Sequence, residues 1–343
     1  MPQIATENLI LANKTWQQEL GQCVTDPKKL LEMLGICPEL YGKSFSARKL
    51  FPLRVPMPFI NRMERGNIND PLLLQVMTSS QEFIERPGFI DDPLDEHTAK
   101  LPGLLHKYDN RVLLMVRTAC AINCRYCFRR QFPYQNNSIG KSELAEAVEY
   151  VKHDSAISEV ILSGGDPLMA KDNHLSQLVK QFEPIAHVTR LRIHTRLPVV
   201  IPARVTQALL NVLINSRLNV VIVLHINHAN EIDSDVAQMC TKLKNAGVTL
   251  LNQAVLLKGI NDNTAAQVAL SEKLFSIGVL PYYLHLLDKV RGATHFDMPQ
   301  ADAVALMHQL YRKLPGFLVP RLVREIGGEA HKTPIDLGLA PDL

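Results

Sequence analysis

From Arg111 onward the chain keeps one rhythm: short apolar runs alternate with longer segments of helical period. The runs cover residues 112–116, 159–163, 191–194, 218–226, 248–257 and 279–287. Between them lie stretches such as Ser142-Glu-Leu-Ala-Glu-Ala-Val-Glu-Tyr-Val151, with Ser142 as the expected N-cap. Strands alternating with helices predict a parallel sheet with right-handed crossovers, since a parallel return needs a helix-length connection. Six such units are too few to close an eight-stranded barrel. The expected fold is therefore α/β, a partial (β/α)6 TIM-like barrel, with its chemistry at the C-terminal strand ends.

Residues 1–104 read instead as a helical N-terminal region with irregular connections. Asp26-Pro27 and Asp70-Pro71 each put an acid N-cap before a proline suited to the first helical position. No chemical motif stands out there, so a packing and assembly role is expected. The expected division is 1–104 for this region, 105–330 for the barrel and 331–343 for a C-terminal segment.

Composition narrows the partners. Of 343 residues, 37 are Lys or Arg and 34 Asp or Glu, a net charge of +3 that points to neither nucleic acid nor an anionic membrane. The most apolar stretch, 218–226, is too short to span a bilayer, and Met1-Pro-Gln-Ile lacks the pattern of a signal peptide. Six cysteines without a disulfide-like arrangement fit a reducing compartment, so the expected location is the cytoplasm.

Three of those cysteines fall within eight residues, in Cys120-Ala-Ile-Asn-Cys124-Arg-Tyr-Cys127, directly after the first strand-like run. One short loop can wrap three such thiolates around a soft centre, either zinc or an iron–sulfur cluster. Structural zinc normally takes four ligands, and Cys23, Cys37 and Cys240 are remote in sequence. A four-iron cluster held by three thiolates would keep one iron open. On spacing alone a Cys3His zinc clip, or thiols that merely pack, stays open as well. Arg125, Arg129 and Arg130 crowd the same loop, as a solvated basic edge or as counter-charges. The next strand-like run ends in Ser163-Gly164-Gly165-Asp166, where glycines allow a close approach to the backbone. His225 and His228 are read as hydrogen-bonded histidines and not as metal ligands.

The cysteine spacing with Tyr126 before the third cysteine, together with Gly164-Gly165-Asp166, resembles the radical S-adenosylmethionine (SAM) enzymes. Within them the chain is similar to the lysine 2,3-aminomutase family, from about residue 105 to 336. The resemblance implies a [4Fe–4S] cluster on Cys120, Cys124 and Cys127, with SAM chelating the open iron and Gly164, Gly165 and Asp166 at its methionine end. It implies pyridoxal 5′-phosphate (PLP) on Lys332 as a Schiff base, with Lys107, Tyr108 and Arg111 at the phosphate. Arg129 would receive the carboxylate of a lysine substrate. Asp288 and Glu325 would hold its distal ammonium, Glu325 being one methylene longer than the family's usual aspartate. The segment Gly327-Gly-Glu-Ala-His-Lys332 also departs from the family's four glycines.

The implied reaction turns (S)-α-lysine into (R)-β-lysine. The chain looks most like the short bacterial branch, whose product a separate ligase attaches to elongation factor P. The implied partners are thus lysine, a functional link to that ligase and factor, and a reducing electron donor, with room for a homo-oligomer. A metabolic aminomutase is the alternative enzyme. A non-enzymatic iron–sulfur or zinc interaction protein is the alternative of another class.

Overall fold

A computed structural model of the protein describes residues 14–97, 101–133 and 139–339. Met1-Pro-Gln-Ile, read above for a signal peptide, lies outside them. Seven parallel strands make up the centre: β2 (Arg111–Arg117), β3 (Glu159–Gly164), β4 (Arg190–Thr195), β5 (Asn219–Leu224), β6 (Thr249–Val255), β7 (Leu280–His285) and β8 (Arg321–Arg324). β1 (Leu104–Tyr108) and β9 (Thr333–Pro334) add antiparallel edges. Sheet order follows chain order from β1 to β9, so the sheet curves as an open partial barrel.

The six sequence-derived runs fall on β2 to β7. Each is followed by a helix: Lys141–His153, Asp172–Phe182, Gln207–Ile214, Ser234–Asn245, Thr264–Ser276 and Gln300–Lys313. β1, β8 and β9 were not anticipated, because strands of five, four and two residues carry too few positions to show a clear period. The N-cap of Lys141–His153 is Gly140, and Glu143, not Ser142, serves it: the Glu143 carboxylate accepts from the Gly140 amide at 3.0 Å. Both Asp-Pro caps form, with Asp26 accepting from the Lys28 amide and Asp70 from those of Leu72 and Leu73.

Register explains the layers. Leu114, Leu162, Ile193, Ile222 and Leu250 pair in sequence across five strands, and all are buried against the helices. Side chains alternate along a strand. The intervening positions Ile161, Ser163, His194 and Gln253 therefore face inward and line a cavity. Trp16, Leu30, Leu31, Leu72 and Leu73 from the N-terminal region join the same continuous core as the barrel.

Candidate active site

The cavity has a volume of about 220 Å³ and opens among the C-terminal ends of β2 to β8. Cys120, Cys124 and Cys127 line it from the loop after β2. Two glycines let that loop approach β3. Gly164 has φ +118°, and a Cβ there would overlap the Arg117 carbonyl oxygen. A Cβ on Gly165 would lie 2.6 Å from the Ala119 carbonyl oxygen. The Gly165 amide donates to Arg117 at 2.7 Å and that of Asp166 to Ala119 at 3.0 Å. The glycine pair thus fastens the cysteine loop to the end of β3.

Asp166 also lines the cavity, but its carboxylate is engaged. It accepts from the Thr195 hydroxyl at 2.7 Å, the Arg196 amide at 2.8 Å, the Leu197 amide at 2.9 Å and the Leu168 amide at 3.0 Å. It ties the β3 end to the β4 end, shaping the wall rather than offering a free acceptor.

Burial first, and then the charge of Asp166 and the other two cysteines, push the Cys120 thiol well up. Cys127 is pushed up to about 11, mainly by burial. Among the described residues no group of three His, Cys, Asp or Glu is drawn together as a single-ion site. The fit of a cluster therefore rests on the donor set, three thiols on one wall with no fourth cysteine on it. Arg196 Nη1 donates to Cys124 Sγ at 2.9 Å, a bond that suits an anionic thiolate.

Arg196 was missed in the sequence, although it follows a strand end, where the expected architecture puts chemistry. It is buried among Gln75 at 2.7 Å, Glu231 at 3.0 Å and the Tyr126 hydroxyl. Asn227 Nδ2 closes the group, donating to Tyr126 at 2.6 Å and Gln75 at 3.0 Å. The cysteine loop is thereby anchored through Tyr126 to residues from three separate parts of the chain.

The other arginines separate by role. Arg125 and Arg130 are not a solvated edge: both converge on Glu82, and the paired side chains are fully buried. Arg130 reaches Glu82 at 2.7 Å and also donates to the Gly292 carbonyl at 3.0 Å. Removing the shared acid would strand two buried guanidiniums, and breaking a buried pair costs roughly 3–5 kcal/mol. Glu82→Gln is thus expected to lose about that much stability in a urea titration, far more than an exposed Glu149→Gln.

Arg129 lines the cavity. Its Nε donates to Glu96 at 2.7 Å, and its Nη1 to the Ser163 hydroxyl at 3.2 Å and the Gly164 carbonyl at 3.0 Å. Glu96, another residue the sequence did not flag, also accepts from Lys107 at 3.0 Å. Burial alone would raise the Glu96 carboxyl, but Arg129 and Lys107 outweigh it and hold it below the usual range. The N-terminal region, expected only to pack, thus contributes Gln75, Glu82 and Glu96 to the support of the site.

Asp288, Glu325 and Lys332 meet at the far end of the barrel order. Lys332 Nζ donates to Glu325 Oε2, while Glu325 Oε1 lies 3.4 Å from the Tyr108 hydroxyl and 3.8 Å from Lys107 Nζ. Burial favours a protonated Glu325, yet Lys332 and then Lys107 overcome it and keep the carboxyl below its ordinary value. Asp288 behaves oppositely. It is partly exposed within the cavity, but burial and then Glu325 push it up to about 7, with Lys332 opposing.

Of the three residues expected at a cofactor phosphate, Tyr108 is on the cavity wall and Lys107 and Arg111 are not. Lys107 faces Glu96, and Arg111 stacks over the Tyr108 ring at 4.0 Å while donating to Asn110 at 2.8 Å.

Five buried polar atoms of the described cavity-lining residues have no hydrogen-bond partner: His194 Nε2, Arg196 Nε, His285 Nε2, Gln253 Oε1 and Asp288 Oδ1. Each such atom costs about 1–3 kcal/mol, so together they mark a cavity shaped for polar occupants. His225 shares this wall, 3.1 Å from Gln253 Nε2, and burial presses it down to about 3. His228 instead accepts from the Asn230 amide at 3.2 Å, an ordinary hydrogen-bonding role. Lys332 adds an amine to the same wall.

A curved parallel sheet with three thiols at its C-terminal edge defines the class, and the radical SAM superfamily matches residues 115–270. Over 331 residues the chain is 54% identical to a protein of Escherichia coli named L-lysine 2,3-aminomutase, covering 96% of each. A Haemophilus influenzae protein of the same name is 52% identical over 328 residues, covering 95% of this chain and 97% of that one. A Clostridium subterminale protein so named is 35% identical over 93% of this chain and 77% of its own length. The chain belongs to the lysine 2,3-aminomutase family of radical SAM enzymes. That membership implies a [4Fe–4S] cluster and SAM as cofactors.

Proposed function

We propose that the protein converts (S)-α-lysine to (R)-β-lysine with a [4Fe–4S] cluster, SAM and PLP, and that the product serves β-lysylation of elongation factor P through a separate ligase. One observation chiefly supports the reading: Lys332, Asp288, Glu325 and Arg129 share the walls of one cavity with Cys120, Cys124 and Cys127. The lysine reaction is supported by likeness to the E. coli and H. influenzae proteins named L-lysine 2,3-aminomutase, which the chain matches nearly end to end, and the elongation-factor role by its resemblance to the short bacterial branch. No helix among the described residues is long and apolar enough to cross a membrane. We place the reaction in the cytoplasm.

Breaking an unactivated C–H bond lies beyond any side-chain base, so the cofactors supply the radical and the electron sink. The protein's residues position and sequester. Arg129, held by Glu96, presents a guanidinium to the substrate carboxylate, a geometry that suits a planar fork. Asp288 and Glu325 take the distal ammonium. Leu113, Ile161, Val255 and Leu287 give the cavity apolar walls that exclude water. Lys332 satisfies Glu325 in this structure; it would be the residue that holds PLP, and a lysine so engaged would leave that acid for the substrate's ammonium.

Incubating the reduced, reconstituted enzyme with labelled lysine and SAM should give (R)-β-lysine on chiral analysis. Unchanged lysine, with SAM cleaved by the same sample, would refute the assignment. Lys332→Ala should keep its iron but lose PLP that borohydride fixes to the chain, read by mass spectrometry. Fixation on Lys107 or Lys289 instead would move the cofactor's anchor.

A further inference from the structure

The cysteine loop has two faces. Inward, its thiols line the cavity just described. Outward, Cys120, Cys124 and Cys127 also line a separate groove of about 780 Å³. The same groove is lined by Arg48, Lys49 and Arg54 and, among the described residues, by no Asp or Glu. Arg48 and Lys49 are exposed. Among the described residues, Asp26 stands 4.0 Å from Arg48 as a counter-charge, and both side chains are more than half exposed. Such a pair contributes little and leaves the positive field largely uncancelled.

We propose that this groove docks a small acidic one-electron carrier protein, the reductant of the iron–sulfur centre. The inference rests on the cluster reading above and assigns the side from which that centre is charged. One electron leaves the reduced carrier and enters the centre held by the three thiolates. No bond forms or breaks, and the carrier is oxidised by one electron. The position follows from the loop being the wall between groove and cavity, so an electron delivered in the groove crosses only that loop. The charge follows from the lining: cations around a recess draw in an acidic partner and speed its encounter. Weak redox complexes bury little surface, so charge complementarity suits this role better than a broad apolar patch would.

The test compares two reductants on the reconstituted full-length protein, with reduced flavodoxin as the carrier probe and dithionite as the small chemical one. Arg48→Glu/Lys49→Glu should slow cluster reduction by flavodoxin at least about tenfold at low ionic strength, the lower end of what steering provides. The difference should shrink as salt is added, because exposed charges are screened. Reduction by dithionite should be unchanged. Arg48→Gln/Lys49→Gln should fall between the two. Arg312→Glu/Lys313→Glu, the same charge change on the helix Gln300–Lys313 outside the groove, should reduce at the wild-type rate.

Equal flavodoxin rates for wild type and Arg48→Glu/Lys49→Glu would overturn the proposal. So would an equal loss in Arg312→Glu/Lys313→Glu, which would make the effect one of net charge. A parallel loss with dithionite would also overturn it, since the groove would then shape the centre and not receive a partner. A wild-type protein that binds no iron would instead defeat the cluster reading on which the proposal stands.

Discussion

Cys120→Ala, Cys124→Ala and Cys127→Ala are each expected to give a folded protein that holds no iron–sulfur cluster and does not cleave SAM. The three thiols share one wall with no fourth cysteine on it, so none can be spared. Cys23→Ala and Cys240→Ala should keep both properties. Cys240 is fully buried in the helix Ser234–Asn245, where its surroundings push the thiol up to about 12 and leave it inert. Cys23 lies near the loop, but its Sγ is only 3.6 Å from the Ala121 carbonyl and is not on the cavity wall. Iron and sulfide assays after anaerobic reconstitution, with circular dichroism to confirm folding, decide the matter. A single Cys120, Cys124 or Cys127 variant with full iron and sulfide would refute it.

Asp288→Asn should lower kcat/KM for lysine at least about a hundred-fold while iron and PLP contents hold. Removing one member of a buried charge pair costs roughly 3–5 kcal/mol, and each 1.4 kcal/mol is about a factor of ten. The pH dependence is the sharper signature. Asp288 is pushed up to about 7, so below that pH the carboxyl is mostly protonated in the free protein. An incoming ammonium favours the carboxylate and must expel that proton. Lysine affinity should therefore weaken about tenfold for each pH unit below about 7, and level off above it. The same shift works against folding at higher pH. A carboxyl raised in the folded state stabilises it at low pH, and that contribution is lost as pH climbs from the ordinary value through about 7. Calorimetric lysine titrations at pH 6, 7 and 8, in buffers of different ionisation heat, would report the released proton directly. Asp288→Asn should flatten the profile. A variant with wild-type kcat/KM would dissolve the two-acid clamp and reopen the identity of the substrate.

The features legible in the sequence are local ones. An apolar run followed by a helix-period segment reports which side of each element faces the core, and this predicted β2 to β7 and the strand ends that carry chemistry. Thiol spacing within eight residues is likewise local, as are Asp-Pro caps. The family resemblance then singled out Arg129, Asp288, Glu325 and Lys332, and folding gathers all four around one cavity.

Tertiary structure alone decided how the buried charges are matched. Glu82 meets Arg125 across 43 residues, Glu96 meets Arg129 across 33, and Glu231 meets Arg196 across 35. Nothing periodic marks such acids, because an isolated Glu in an irregular segment reads the same whether solvated or buried. The Lys332 hydrogen bond also separates Asp288 from Glu325: burial raises both acids, yet Glu325 holds Lys332 directly and falls, while Asp288 feels the same lysine without that bond and rises. Periodicity records which side of an element is apolar. Which charges share the interior depends on distances between elements, and those exist only once the chain has closed around them.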